Sequence, residues 1–423
     1  MGDRLGHISR RLWGSAAYMA AALFLSWSAS AEEIHVEGSL QFAISRANAG
    51  DVLKLGERVY EGPLTIDRSI QIMGGDGTAI QGDGRGSVIT VQAPNVTLMN
   101  LAVTGSGLSL ETQDSGIFLD KSATNARIEG NRIFDNLIGV YVSGAKNSVV
   151  RNNHIVGRQD LRMNERGNGV QIWSAPGTVI ENNTIEHGRD GIFVTTSSKN
   201  LFKGNRMENL RFAIHYMYTN RSEVSDNISI ANHIGYALMS STDLVVENNT
   251  SQNDRDRGFL LNYANRLTMS QNVVTGGSEK CIFIYNSHRN RIYRNLLSDC
   301  LVGIHFTAGS QKNIISKNAF ISNQTQVKYV GTRWLEWSAD GVGNYWSDHV
   351  AFDLDKNGIA DAIYRPNDIT DQIIWKYPSA RLLMNSPAVQ ILKYAQNQFP
   401  ALHPGGVIDS APLMQIPKGL SRK

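Results

Sequence analysis

The chain has almost no cysteine, two residues in 423, which excludes a disulfide-built scaffold and a thiolate-cluster metal site. Proline is scarce too, at ten residues, so stiff proline-rich linkers do not join its parts. An excess of one charge is missing, since 41 lysines and arginines face 38 aspartates and glutamates. Near neutrality removes the electrostatic argument for nucleic-acid binding. The one marked apolar run, residues 16–25, is too short for a membrane span. It follows Arg10 and Arg11 and precedes Ala29, Ser30 and Ala31, the arrangement of an export signal cleaved before Glu32. The paired arginines after Ser9 also fit the twin-arginine route. Three arginines and one aspartate leave with residues 1–31, taking the formal charge from +3 to +1. The mature chain is expected to be soluble and extracytoplasmic.

What the chain does have is glycine, 39 residues, placed at regular intervals. Eight four-residue cassettes begin at Gly116, Gly139, Gly169, Gly191, Gly235, Gly258, Cys281 and Gly303, and a ninth begins at Ala213. Successive starts are 22 or 23 residues apart, except for one interval of 30. That is the length of one solenoid coil, too short for a domain repeat. The composition, with 41% hydrophobic residues, suits one elongated all-β domain with a long core.

Within each cassette the residues alternate with a period of two, as in a strand with one buried face. Ile117, Val140, Val170, Ile192, Ile214, Tyr236, Phe259, Ile282 and Ile304 form one inward row, and the residues two places on form a second. Between them lies an outward row: Phe118, Tyr141, Gln171, Phe193, His215, Ala237, Leu260, Phe283 and His305. A second outward row includes Trp173, Thr195, Met217, Met239, Asn262 and Tyr285. After every cassette comes an asparagine at a matching place, in the series Asn131, Asn153, Asn183, Asn205, Asn227, Asn249, Asn272, Asn295 and Asn318. Stacked amides of this kind bond to each other and to bend backbone, a structural role.

The ends depart from the repeat. Leu40, Ala43, Ile44 and Ala47 share one helical face, a lid for the first coil. Gly50 to Lys54 then open the first strand. Residues 158–166 are a charged insertion in the long coil, expected to protrude as a loop. We divide the chain into a signal peptide (1–31), a β-helix (32–329), an aromatic cap (330–377) and a partly helical docking tail (378–423). The cap contains D-L-D-K-N-G-I-A-D, in which Asp353, Asp355, Asn357 and Asp361 occupy the first, third, fifth and ninth places of a calcium loop. Tyr364 stands where the closing glutamate belongs, so the match is partial. In the tail, Ser386 and Pro387 start a helix whose Ala388, Ile391, Leu392, Ala395 and Phe399 form one stripe. Packing on the body and binding a partner are both open to that stripe. Cys281 and Cys300 lie in neighbouring coils, and a disulfide between them is open as well, because Cys281 aligns with Gly303 rather than with Cys300.

The chemistry is sought on the outward rows. Met217 and Met239 are one coil apart, so their thioethers stand about 5 Å apart at the strand spacing, with His215 two residues from Met217 on the same face. Two soft sulfurs and an imidazole suit Cu(I) better than zinc or magnesium. Packing of the methionines as gap fillers is the plain alternative. The rival function is a polysaccharide lyase or epimerase, for which Arg189, Asp190, Arg211 and residues 254–257 could supply charge. No D-P-H-D run of the alginate epimerase kind occurs.

Two resemblances add to this reading. The opening, with S-I-Q-I-M-G-G-D-G-T-A-I-Q-G at 69–82, resembles the start of right-handed parallel β-helices of the pectate-lyase type, which implies that fold but no function. The tracts H-Y-M-Y-T-N at 215–220, G-Y-A-L-M-S at 235–240, G-N-Y-W-S-D at 343–348 and F-P-A-L-H-P-G-G-V-I-D-S-A-P-L-M at 399–414 resemble the NosD family, periplasmic maturation proteins of nitrous oxide reductase. That resemblance implies a non-enzymatic periplasmic accessory protein of an ABC transporter with a permease and an ATPase. It further implies a copper chaperone as donor and a role in building the reductase's copper centre.

Overall fold

The computed structural model describes residues 31–383, 386–399 and 405–420. The export signal expected at 1–31 lies almost wholly outside the described residues.

Three parallel sheets of thirteen, twelve and thirteen strands run the length of the body, each coil adding one strand to each sheet. The cassettes form the twelve-stranded sheet, and its register is the one read from the repeat. Phe118 pairs with Tyr141, Tyr141 with Gln171, Phe193 with His215 and Phe283 with His305. The inward row is buried throughout, with Ile117, Val170, Ile214, Phe259 and Ile304 all at 0% exposure. Each cassette glycine allows close approach of the next coil; a Cβ on Gly235 would stand 2.5 Å from the carbonyl oxygen of Gly258.

The asparagine column forms as expected and runs one step further. Asn153 Nδ2 donates to Asn183 Oδ1 at 2.9 Å, the pattern repeats along the rod, and Asn318 donates to Asn344 inside the aromatic cap. Each amide also donates to a strand carbonyl, as Asn205 does to Ile180, and accepts from the backbone N–H of the asparagine before it. The buried bend is thereby left with its polar groups paired. Beyond Asn344 the partner is Asp409 Oδ2, which accepts from the Asn344 backbone N–H at 2.7 Å and from Trp346 Nε1 at 2.8 Å. The column therefore ends on an acceptor-only carboxylate brought from the C-terminal segment.

That return changes the reading of the tail. Strand Gly406–Ile408 pairs with Trp334–Glu336 in the cap, and Val407 joins the core, so residues 405–420 belong to the body. Among the described residues, helices Ile369–Lys376 and Pro387–Gln398 and the 3-10 turn Pro378–Leu383 between them pack chiefly on one another. The second has Ser386 as N-cap and Pro387 at its start. Its stripe is not packed on the body: Ile391 is 67% and Phe399 63% exposed.

At the other end helix Leu40–Arg46 buries Leu40 and Ile44 over the first coil, with the Ser39 hydroxyl capping Phe42. A strand not foreseen, Glu33–Val36, precedes it and pairs with Val52–Leu55. The insertion 158–166 does not protrude freely. Leu161 packs on Leu137, Ile138 and Tyr141, and Arg166 donates to the carbonyls of Leu161, His187 and Gln159, which draws the charged loop down onto the sheet. Cys281 and Cys300 form a buried disulfide, with 5.7 Å between Cα atoms. The bridge crosses a corner between two coils, so equivalent positions in the repeat are not required.

A second, shorter column at that corner includes a carboxylate. Asn232 accepts from Leu210 N–H, and Asp254, at 0% exposure, accepts from Asn232 N–H and from the hydroxyls of Ser229 and Ser251. Burial, the largest influence, raises the Asp254 pKa to about 6 against the effect of those bonds. A carboxyl raised in the folded state stabilises as its protonated form. Its contribution, about 3 kcal/mol, is complete below pH about 4 and lost as pH rises through about 6. Asp254→Asn keeps the acceptor and removes the proton. The difference in urea-unfolding free energy between wild type and this variant should shift by about 3 kcal/mol between about pH 4 and about pH 8; a constant difference would show that the group does not titrate there.

Candidate functional site

On the outside of the cassette sheet two loops rest on the early coils. Loops 107–114 and 158–167 lie over the early strands, where Gln113 accepts from Gln171 Nε2. Further along, strands Phe212–Met217 and Ile234–Met239 lie side by side, and their outward row is largely enclosed, with Ala237 at 0% and Leu260 at 8% exposure. Met217 is the Cα partner of Met239, and His215 that of Ala237. Both methionines are partly exposed, and Met239 packs along the small cluster of Ile234, Ala237 and Leu260. Ala237 is the smallest residue of its outward row, and it adjoins His215.

His215 is more enclosed than the alternation alone implies, at 9% exposure. Phe212 meets its ring edge at 4.8 Å and Phe193 lies 5.1 Å away, centroid to centroid. Its Nδ1 is 2.9 Å from Asp190 Oδ2, and Arg211 donates to both oxygens of the same carboxylate at 2.8 and 2.7 Å. Burial raises the Asp190 carboxyl, yet the bonds from His215 and Arg211 outweigh it and hold the group below its ordinary value. An ionised carboxylate can only accept, so Nδ1 is the donor, and in the imidazole form Nε2 is the nitrogen that carries the lone pair. This is the carboxylate–imidazole arrangement that orients a metal-binding histidine. In the sequence Asp190 is a candidate only as a source of charge for the rival enzyme function. Its register row, Asp190, Phe212, Ile234, Arg257 and Lys280, mixes charged and apolar residues and so gives no signal of this contact.

The other histidine of this row, His305, lies four coils away. It pairs in register with Lys328, and burial together with Lys328, Lys280 and Arg257 pushes its pKa down to about 4. It has no part in the Met217, Met239 and His215 group.

The loop of Asp353, Asp355, Asn357 and Asp361 satisfies its oxygens internally. Asp353 accepts from the N–H groups of Asn357 and Gly358, Asp355 from Asn357 Nδ2, and Asp361 from Leu354 N–H. Among the described residues no three His, Cys, Asp or Glu side chains converge as metal ligands. A soft site built from thioethers and one imidazole is of a different kind.

Comparison with known proteins gives this geometry its context. A "Probable ABC transporter binding protein NosD" of Stutzerimonas stutzeri is 39% identical over 372 residues, covering 85% of each chain. One of the same name from Pseudomonas aeruginosa is 38% identical and covers 97% of this chain and 98% of its own. The chain belongs to the NosD family. The family model described as "Periplasmic copper-binding protein (NosD)" matches residues 151–351, the stretch that carries Asp190, Arg211, His215, Met217 and Met239. A model for the right handed beta helix region matches residues 32–177. Among solved structures, the A-module of the mannuronan C-5 epimerase AlgE6 from Azotobacter vinelandii has a TM-score of 0.55 at 13% identity, with 69% of this chain and 90% of that chain covered. A PL6 alginate lyase in complex with a trisaccharide gives 0.52 at 12% identity, covering 72% and 89%. At such identities the likeness concerns fold alone. No helix among the described residues is long and apolar enough to cross a membrane.

The Asp190–His215 bond is directly testable. Asp190→Asn should release the imidazole, moving its ¹⁵N resonances from the Nδ1–H to the Nε2–H pattern and lowering stability by about 1–3 kcal/mol. An unchanged ¹⁵N pattern would mean that the carboxylate does not set the tautomer.

Proposed function

We propose that this protein serves in the periplasm as the accessory protein of an ABC transporter in maturation of the copper centre of nitrous oxide reductase, relaying Cu(I) from a copper chaperone. The observation that carries the reading is the Met217–Met239 pairing on adjacent rungs, beside an imidazole whose Nδ1 is already committed to Asp190. Copper is the cargo here. Met217 and Met239 hold it through thioethers, and His215 adds Nε2. Such donors favour Cu(I), and partial exposure lets a second protein take the ion up. The carboxylate–imidazole pair fixes the ring without drawing it away from the metal.

Helices Ile369–Lys376 and Pro387–Gln398 give the transporter a place to attach. Ile391, Leu392 and Phe399, with Leu382 and Leu383, present apolar side chains to solvent, in a patch of the sort that partner proteins cover. The permease is the partner assigned to it, and the ATPase acts through the permease. The movement of the transporter then selects which soluble partner binds.

The enzyme alternative, a lyase or epimerase acting on an acidic polysaccharide, rests on fold likeness, which carries no function by itself. Replacing Met217 and Met239 together by leucine should weaken Cu(I) binding by at least tenfold in competition with a chromophoric chelator, while folding is kept because volume is conserved. Equal titration by wild type and variant would return the methionines to a packing role. Wild type should also leave alginate uncleaved in parallel incubations. On the transporter side, Ile391→Glu with Leu392→Glu should abolish co-purification with the permease, and a retained complex would remove this helix from the interface.

A further inference from the structure

We propose that the rod edge beside Met217 and Met239 is the docking surface for an acidic protein face, the one that delivers Cu(I); this rests on the relay described above. Each cassette strand is followed by a tight corner, and at this corner the residues stack coil upon coil. Tyr218 N–H donates to the Met239 carbonyl, and Tyr263 N–H donates to that of Tyr285. Three residues on, a second stack runs Lys199, Arg221, Asp243, Arg266, Arg289 and Lys312. Lys199 N–H donates to Asn220 O, Arg221 N–H to Thr242 O and Arg289 N–H to Gln311 O. Five cations and one carboxylate thus form a line along a chain that is close to neutral overall. Arg266 is paired with Asp243 at 2.8 Å, and the rest of the line adds net positive charge. All six are exposed.

Beside this basic line stands an aromatic one. Tyr218 and Tyr263 are 57% and 50% exposed, and Trp173 and Tyr285 are similarly open. Trp173 and Tyr285 lie in the same outward row as the two methionines. Tyr218 and Tyr263 adopt φ of 51° and 52°, where the neighbouring corners place Gly144, Ser174 and Ser240. Thr196 and Asn286 share that conformation, so the corner itself sets it and holds both rings at the same place in the stack. The corner is also rigid. Thr219 N–H donates to Ser241 Oγ, and Ala264 N–H to Ser287 Oγ, both from buried positions, so the surface is set before a partner arrives.

Exposed tyrosine and tryptophan anchors around the metal site, edged by unidirectional charge, suit a soluble protein of opposite charge. Charge of this kind acts mainly on the rate of encounter, and salt weakens it. The test measures transfer from a Cu(I)-loaded copper chaperone of the same organism and, separately, from a Cu(I)–chelator complex. Wild type should accept copper from both, with the chaperone rate falling at least tenfold from low to high salt. The variant carrying Lys199→Glu, Arg221→Glu, Arg289→Glu and Lys312→Glu should lose at least tenfold of the chaperone rate at low salt and keep its chelator uptake. The milder pair Arg221→Gln and Arg289→Gln should show a smaller loss of the same kind, which guards against misfolding. Chaperone rates that are independent of salt and equal in all three proteins would overturn the docking edge and leave the copper site standing. Failure of wild type to take copper from the chelator would instead remove the relay itself. Binding of oligouronate that the charge reversals abolish, with chaperone transfer unaffected, would assign the edge to an acidic polysaccharide and overturn the proposal.

Discussion

A single column of asparagine amides sets the geometry of the whole rod. Every coil must turn sharply at the same place, and each turn buries backbone N–H and carbonyl groups that water cannot reach. One amide per coil answers both needs, since it donates to a strand carbonyl and to the next amide while accepting from the amide before. Coils that share such a column cannot slip relative to one another without breaking several buried bonds. The pairing of side chains on the outer face is thus a consequence of the inner one, and Met217 stands beside Met239 because Asn205, Asn227 and Asn249 lie in line beneath.

This explains which parts of the molecule were legible in the sequence. Register follows from a period of 22 or 23 residues combined with strict alternation, so both outward rows, the column and the two helix starts could be read from residue order alone. The parts that could not be read depend on side chains reaching across the repeat. Asp190 reaches His215 from one coil earlier and three residues along, a diagonal that no periodicity encodes. The Cys281–Cys300 bridge likewise joins positions of different kinds in adjacent coils. The insertion at 158–166 was charged and so was expected in solvent, but Arg166 spends its donors on three carbonyls and Leu161 finds an apolar seat.

The shared scaffold with an epimerase and a lyase is instructive for the same reason. A stacked-coil body offers flat rows of side chains, and what those rows do is decided by a few residues that leave the inner architecture intact. In this chain the face carries thioethers, aromatic rings and one anchored imidazole. Inside the rod, polar groups are held without regard to that choice. Function can therefore vary on the surface while the fold is conserved within.

The C-terminal segment has a further consequence through Asp409. The amide column needs a final acceptor, and Asn344 and Trp346 find it on a residue that emerges some sixty positions later in the chain. Until then the last coil presents an unfinished edge with a buried-type donor pair facing water, the state in which stacked strands invite a neighbour to add on. A chain folding from its first coil onward would keep that edge open until the segment carrying Asp409 arrives. Truncation near the end, even by a short stretch, would accordingly produce chains prone to join end to end rather than merely shorter monomers.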